Sequence, residues 1–83
     1  MPTQAQVPEI VAKVRRRLAN AAKKGVHLHV VDKKLADGWL YVVVTPSEPG
    51  ERASDHARVM SEVERGLRKE GIDRLLLVPT LEE

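Results

Sequence analysis

The stretch 38–45, read GWLYVVVT, sets the terms for any fold this chain can adopt, because every position from Trp39 to Val44 is apolar or aromatic. A strand with one wet face alternates apolar and polar residues, whereas an unbroken run calls for cover on both faces. With 83 residues in all, a chain of this size buries only about 60 to 65 per cent of its unfolded surface and makes a single small domain. Covering both faces of the run from within one subunit is therefore a difficulty, and oligomerisation is the cheapest way around it.

The segments on either side follow two clear periods. Val7, Ile10, Val11, Val14, Leu18 and Ala21 recur at spacings of three and four, which predicts a helix over about residues 4–24, with Pro8 tolerated in its first turn and Gly25 as its left-handed stop. Residues 26–33 read as a first strand, and Asp37-Gly38 is a hairpin signal that returns the chain antiparallel into a second strand over 38–45. A two-residue turn aligns Val26, Leu28 and Val30 with Trp39, Tyr41 and Val43; a loop one residue longer aligns them with Leu40, Val42 and Val44. The turn residues in TPSEPG, 45–50, lead to a second helix over 51–70 with the stripe Ala53, His56, Val59, Met60, Val63 and Leu67, whose wet side offers Glu64–Arg68 and Arg58–Glu62 pairs one turn apart. A third strand over 72–78 and a short acidic tail over 80–83 complete the chain.

The order is α-β-β-α-β, an α+β domain. A right-handed crossover makes the third strand parallel to the second, either beside it or beyond the first, in a mixed or antiparallel three-stranded sheet. Each helix has one apolar stripe, so both are expected on one face of the sheet. The opposite face is then bare. It is expected to carry His27, His29 and Val31, three large residues of the central stretch such as Trp39, Tyr41 and Val43, and two of the third strand's apolar residues. A soluble monomer rarely leaves several hundred square ångströms of contiguous apolar surface in water. The expected use is a homodimer, either with sheets packed face to face or with edge strands joined, and a different protein partner is the other candidate occupant.

Charge is segregated along the chain. Residues 1–34 carry eight Lys or Arg against two acids, a net of +6, while residues 35–83 carry six against ten, a net of −4. The first helix sets Lys13, Arg16, Arg17, Lys23 and Lys24 on its polar side, a pattern that fits a solvated face or a salt-sensitive contact with nucleic-acid phosphates. His27 and His29 share a strand face at a spacing seen in some metal sites, but two ligands fall short of a site, so no metal is expected. His56 has the chemistry of a general base. Ser47, Ser54 and Ser61 lack the spaced partners a nucleophile requires, so the chain reads as non-enzymatic and calls for no cofactor. The absence of cysteine, of long apolar runs and of a signal-like start points to a soluble cytoplasmic protein without membrane contact.

Element order, Gly50, the helix-start His56 and Arg58 together resemble the BolA-like and type II KH-like arrangement over residues 38–78. BolA-like proteins are small regulators associated with iron–sulfur trafficking and nucleic-acid contact, so the resemblance implies an adaptor or regulator. Asp55 stands where that pattern has arginine before the histidine, the chain has no phenylalanine, and the Gly-X-X-Gly loop of KH domains is absent. The topology is also similar to the C-terminal domain of NifU-like scaffolds, whose Cys-X-X-Cys motif this cysteine-free chain lacks. No functional residue carries over.

Overall fold

The computed structural model describes residues 3–48, 50 and 52–79, and the acidic tail expected over 80–83 lies outside them. After a short 3-10 turn over Gln4–Gln6, helix α1 spans Val7–Ala22, strand β1 Leu28–Ala36, strand β2 Trp39–Pro46, helix α2 Ala53–Lys69 and strand β3 Leu75–Pro79. The domain is α+β, with β2 at the centre of a three-stranded mixed sheet, antiparallel to β1 and parallel to β3. Of the two sites open to the third strand, the one beside β2 is taken.

Hydrophobic periodicity explains the helices. Val7, Ile10, Val11, Val14 and Leu18 of α1 and Val59, Val63 and Leu67 of α2 are all buried, and they lie against Leu40, Val42 and Val44 of β2, Leu75 and Leu77 of β3, and Leu28 of β1 in one core. In β2, burial alternates strictly, with Leu40, Val42 and Val44 at or below 1% exposure and the residues between them half-buried. Helices thus cover one face of the sheet, and the 18 Å thinnest dimension of the domain suits a single helix layer on a single sheet.

Both helices end in the same way. At α1 the Gly25 N–H bonds the Ala22 carbonyl and the Val26 N–H bonds Ala21; at α2 the Gly71 N–H bonds Arg68 and the Ile72 N–H bonds Leu67. With φ of 96° at Gly25 and 92° at Gly71, these are Schellman closures, in which the glycine takes the left-handed position and the next apolar residue folds back on the last turn. The closure at α2 uses Ile72 as part of the helix end, so β3 begins at Leu75 rather than at the expected 72. For the same reason β1 starts at Leu28, two residues later than expected at 26, and it continues to the hairpin turn at Ala36.

The hairpin resolves the two alternative registers by combining them. Ala36 pairs with Trp39 across a two-residue turn in which Asp37 and Gly38 both have positive φ, 55° and 79°, the conformation whose twist matches paired strands. Leu28 and Val30 nevertheless align with Pro46 and Val44, on the core side. A β-bulge between Val30 and Asp32 makes both possible: Val31 and Asp32 stand against the single residue Val43. The extra residue lies in the strand, not in the loop.

It follows that Val31, unpaired in the ladder and 47% exposed, is dispensable to the register. Deleting Val31 joins the Val30–Val44 and Asp32–Val43 pairs into an unbroken ladder that keeps both Leu28 and the turn on their own sides, and is expected to leave a cooperative unfolding transition in urea. Val31→Thr is expected to stay within about 0.5 kcal/mol of the parent.

Candidate interaction surface

The sheet face opposite the helices is built from the residues between the core positions. Along β2 these are Trp39, Tyr41, Val43 and Thr45, all half-buried. Register places Ala36, Lys34, Asp32 and His29 of β1 beside them in that order, and Leu76 and Val78 of β3 beside Tyr41 and Val43. Leu76 is 38% exposed. The face is thus apolar along β2 and β3 and charged along β1, less uniformly apolar than the sequence suggests.

Of the six residues expected on this face, Trp39, Tyr41 and Val43 form its centre, and Val31 stands at the bulge. The histidines are at a corner. His27 precedes β1, is half-buried, and its carbonyl accepts the Ser47 N–H at 2.9 Å; His29 places Nδ1 2.7 Å from Ser47 Oγ. Both border a shallow hollow of about 250 Å³ against the Arg15 flank of α1. Among the described residues no three His, Cys, Asp or Glu gather closely enough to hold a metal ion. His56 sits half-buried in the first turn of α2, where its neighbour Asp55 pairs with Arg58 at 3.3 Å. Among the described residues no helix is long and apolar enough to cross a membrane.

Asp32 and Lys34 were not expected on this face, yet the Asp37-Gly38 turn implies them. Counting outward from a two-residue turn pairs Lys34 with Tyr41 and Asp32 with Val43. What the sequence concealed was the bulge that lets Leu28 and Val30 remain in the core beyond that point. Asp32 also serves the bulge, accepting the Lys33 N–H on Oδ1 at 2.8 Å.

The edges of the sheet are guarded. Glu64 does not spend its carboxylate on Arg68 as the helical spacing suggests; its Oε2 accepts the Leu77 N–H at 2.7 Å. Leu40 N–H bonds the Arg74 carbonyl, and because bonding to β2 alternates along β3, the Leu77 amide points away from the sheet. Glu64 thus occupies a donor that another strand would need. The β1 edge is interrupted by the bulge and followed by Lys33 and Lys34, devices that discourage strand addition.

The five cations of α1 separate into two groups. Arg16, Lys23 and Lys24 are exposed. Lys13 and Arg17, one turn apart on the flank facing α2, converge on Glu70, with Lys13 Nζ 3.0 Å from Oε1 and Arg17 Nη2 2.6 Å from Oε2. Since Glu70 lies at the end of α2, while Asn20 and Lys24 share a groove of about 500 Å³ with Arg58 and Val59 near its start, the helices run antiparallel. Gly66 makes room for this clasp: a Cβ there would lie 2.7 Å from Arg17 Cζ. Sequence periodicity alone does not show the clasp, because its partners are 53 and 57 residues apart.

No family profile, curated protein or solved structure matches the chain.

The Arg17 hydrogen bond, followed by that of Lys13, holds the Glu70 carboxyl below its ordinary value of 4.5. A depressed carboxyl stabilises the fold above the ordinary carboxylate range and ceases to do so as pH falls through its folded value. Glu70→Gln is therefore expected to be less stable than the parent near neutral pH, with the gap closing in urea titrations as pH falls below the ordinary carboxylate range and through the lowered folded value. Gly66→Ala is expected to swing Arg17 aside and move the Glu70 carboxyl carbon titration, read by NMR, back towards its ordinary value.

Proposed function

We propose that this protein is a small non-enzymatic interaction module, an adaptor that self-associates through its open sheet face. The observation that carries the reading is the row Trp39, Tyr41 and Val43 with Leu76 and Val78, aromatic and aliphatic side chains on the side of the sheet away from both helices. Aromatic residues are common anchors in interfaces, where a large apolar body is gained at small entropic cost. The residues between the core positions of β2 are half-buried by one another, so the surface is already ordered before a partner arrives.

Magnitude decides what kind of association to expect. Burying roughly 300 Å² of apolar surface per subunit, about what half-buried Trp39, Tyr41, Val43 and Val78 with Leu76 can offer, at about 25 cal/mol per Å² contributes on the order of 15 kcal/mol for the pair before the entropy of association is subtracted. An interface of roughly 1,000 Å² in total lies at the small end of specific complexes. Micromolar, reversible association is the consequence.

The alternative reading is a nucleic-acid-binding protein that uses the basic side of α1. It retains Arg16, Lys23 and Lys24, but Lys13 and Arg17 are engaged by Glu70, so fewer cations remain for phosphates. The sheet face has the broader support.

Sedimentation velocity tests the proposal. The parent chain is expected to shift from monomer to dimer between about 1 and about 100 µM, and Leu76→Lys, at an exposed position, is expected to remain monomeric with an unchanged circular dichroism spectrum. A parent that stays monomeric throughout that range, with no change in Trp39 fluorescence, overturns the reading.

A further inference from the structure

We infer that the open face is self-complementary, and that a second copy of this chain docks on it about a two-fold axis that crosses the strands between the Asp32–Val43–Val78 row and the Lys34–Tyr41–Leu76 row. The inference rests on the self-association proposed above and specifies its geometry.

The register supplies the argument. Asp32, Val43 and Val78 stand side by side on one level of the sheet, and Lys34, Tyr41 and Leu76 stand side by side on the next. Rotation by half a turn about an axis lying in the plane of the interface, across the strands and between those levels, places each strand over its own copy, running the opposite way. Each level then meets the other. Lys34 comes to face the partner's Asp32, Tyr41 the partner's Val43, and Leu76 the partner's Val78. One level farther out, Trp39 faces the partner's Thr45. Every large side chain of the central strand thus meets a small one, the alternation that lets two faces interdigitate, and both charges of β1 meet an opposite charge. Asp32 uses one oxygen for the Lys33 amide and has the other for the partner's Lys34.

The competing arrangements are less favourable. A two-fold axis running along the strands lays β1 over the partner's β3, so that Asp32 and Lys34 are pressed against Leu76 and Val78 and lose water without gaining a counter-charge. Joining edge strands into a longer sheet meets the Glu64 carboxylate on the Leu77 amide at one edge and the bulge with its lysines at the other.

Charge exchange at two positions tests the geometry. Asp32→Lys alone and Lys34→Asp alone each place like charges opposite one another twice per dimer, and each is expected to raise the dimer Kd by about tenfold or more at low salt. Mixing the two single variants is expected to restore association to within about threefold of the parent, as is the double exchange Asp32→Lys with Lys34→Asp, whose net charge is unchanged. Asp73→Lys mixed with Lys69→Asp, equal charge changes away from the face, is expected to show no such gain, which separates a local pairing from general attraction. Urea unfolding of each variant checks that the fold is retained, and Lys34→Asp keeps the Asp32 bond to the bulge. A parent that dimerises while Asp32→Lys, Lys34→Asp and their double exchange all dimerise equally well overturns the proposed axis and leaves self-association standing. A parent that does not dimerise at all overturns both.

Discussion

Two demands meet on β1, and each is strong. The Asp37-Gly38 turn holds Ala36 opposite Trp39, because positive φ at both turn residues matches the twist of the paired strands. At the far end Leu28 and Val30 must face the helices, where Leu18 and Val44 await them in the core. With strict alternation these demands contradict each other by one residue, since side chains change face at every step. The bulge between Val30 and Asp32 removes the contradiction at the cost of one local break in the ladder. The turn places Asp32 and Lys34 on the open face beside Val43 and Tyr41, and the bulge lets Leu28 and Val30 stay in the core beyond them.

The two faces of β2 therefore have different roles. Leu40, Val42 and Val44 are almost wholly inaccessible and bind both helices to the sheet. Trp39, Tyr41 and Val43 have neighbours in their own plane and, among the described residues, no helix packed above them. A chain with two helices cannot cover both sides of its sheet, and the surface left over is apolar in its middle and charged at one margin. Two acidic side chains are engaged within the subunit. Glu64 occupies the outer amide of Leu77 in β3, and Glu70 pairs with Lys13 and Arg17 at the surface.

The clasp at Glu70 also clarifies the charge segregation of the chain. A basic first half and an acidic second half suggest an external anion or a docking of unlike halves. Part of that asymmetry is settled inside the subunit, where two cations of α1 face one carboxylate at the end of α2. Gly66 in the last turn of α2 contributes space, at a cost in helix propensity of up to about 1 kcal/mol relative to alanine; the guanidinium of Arg17 fills that space.

Local patterns in the sequence were enough to determine the elements and their order: the three-and-four spacing of Val7 to Leu18 and of Val59 to Leu67, the glycines after each helix, and Asp37-Gly38 between two strands. They determined the fold class as well, because two one-sided helices and three strands of this length pack in few ways. Tertiary structure alone decided which set of β2 side chains enters the core, where β3 sits, and that Glu64 turns to a strand amide instead of to Arg68. The physical reason is common to all three. Each depends on contacts between residues distant in the chain, and a single inserted residue in β1, with no signature of its own in composition or period, sets which face those contacts meet.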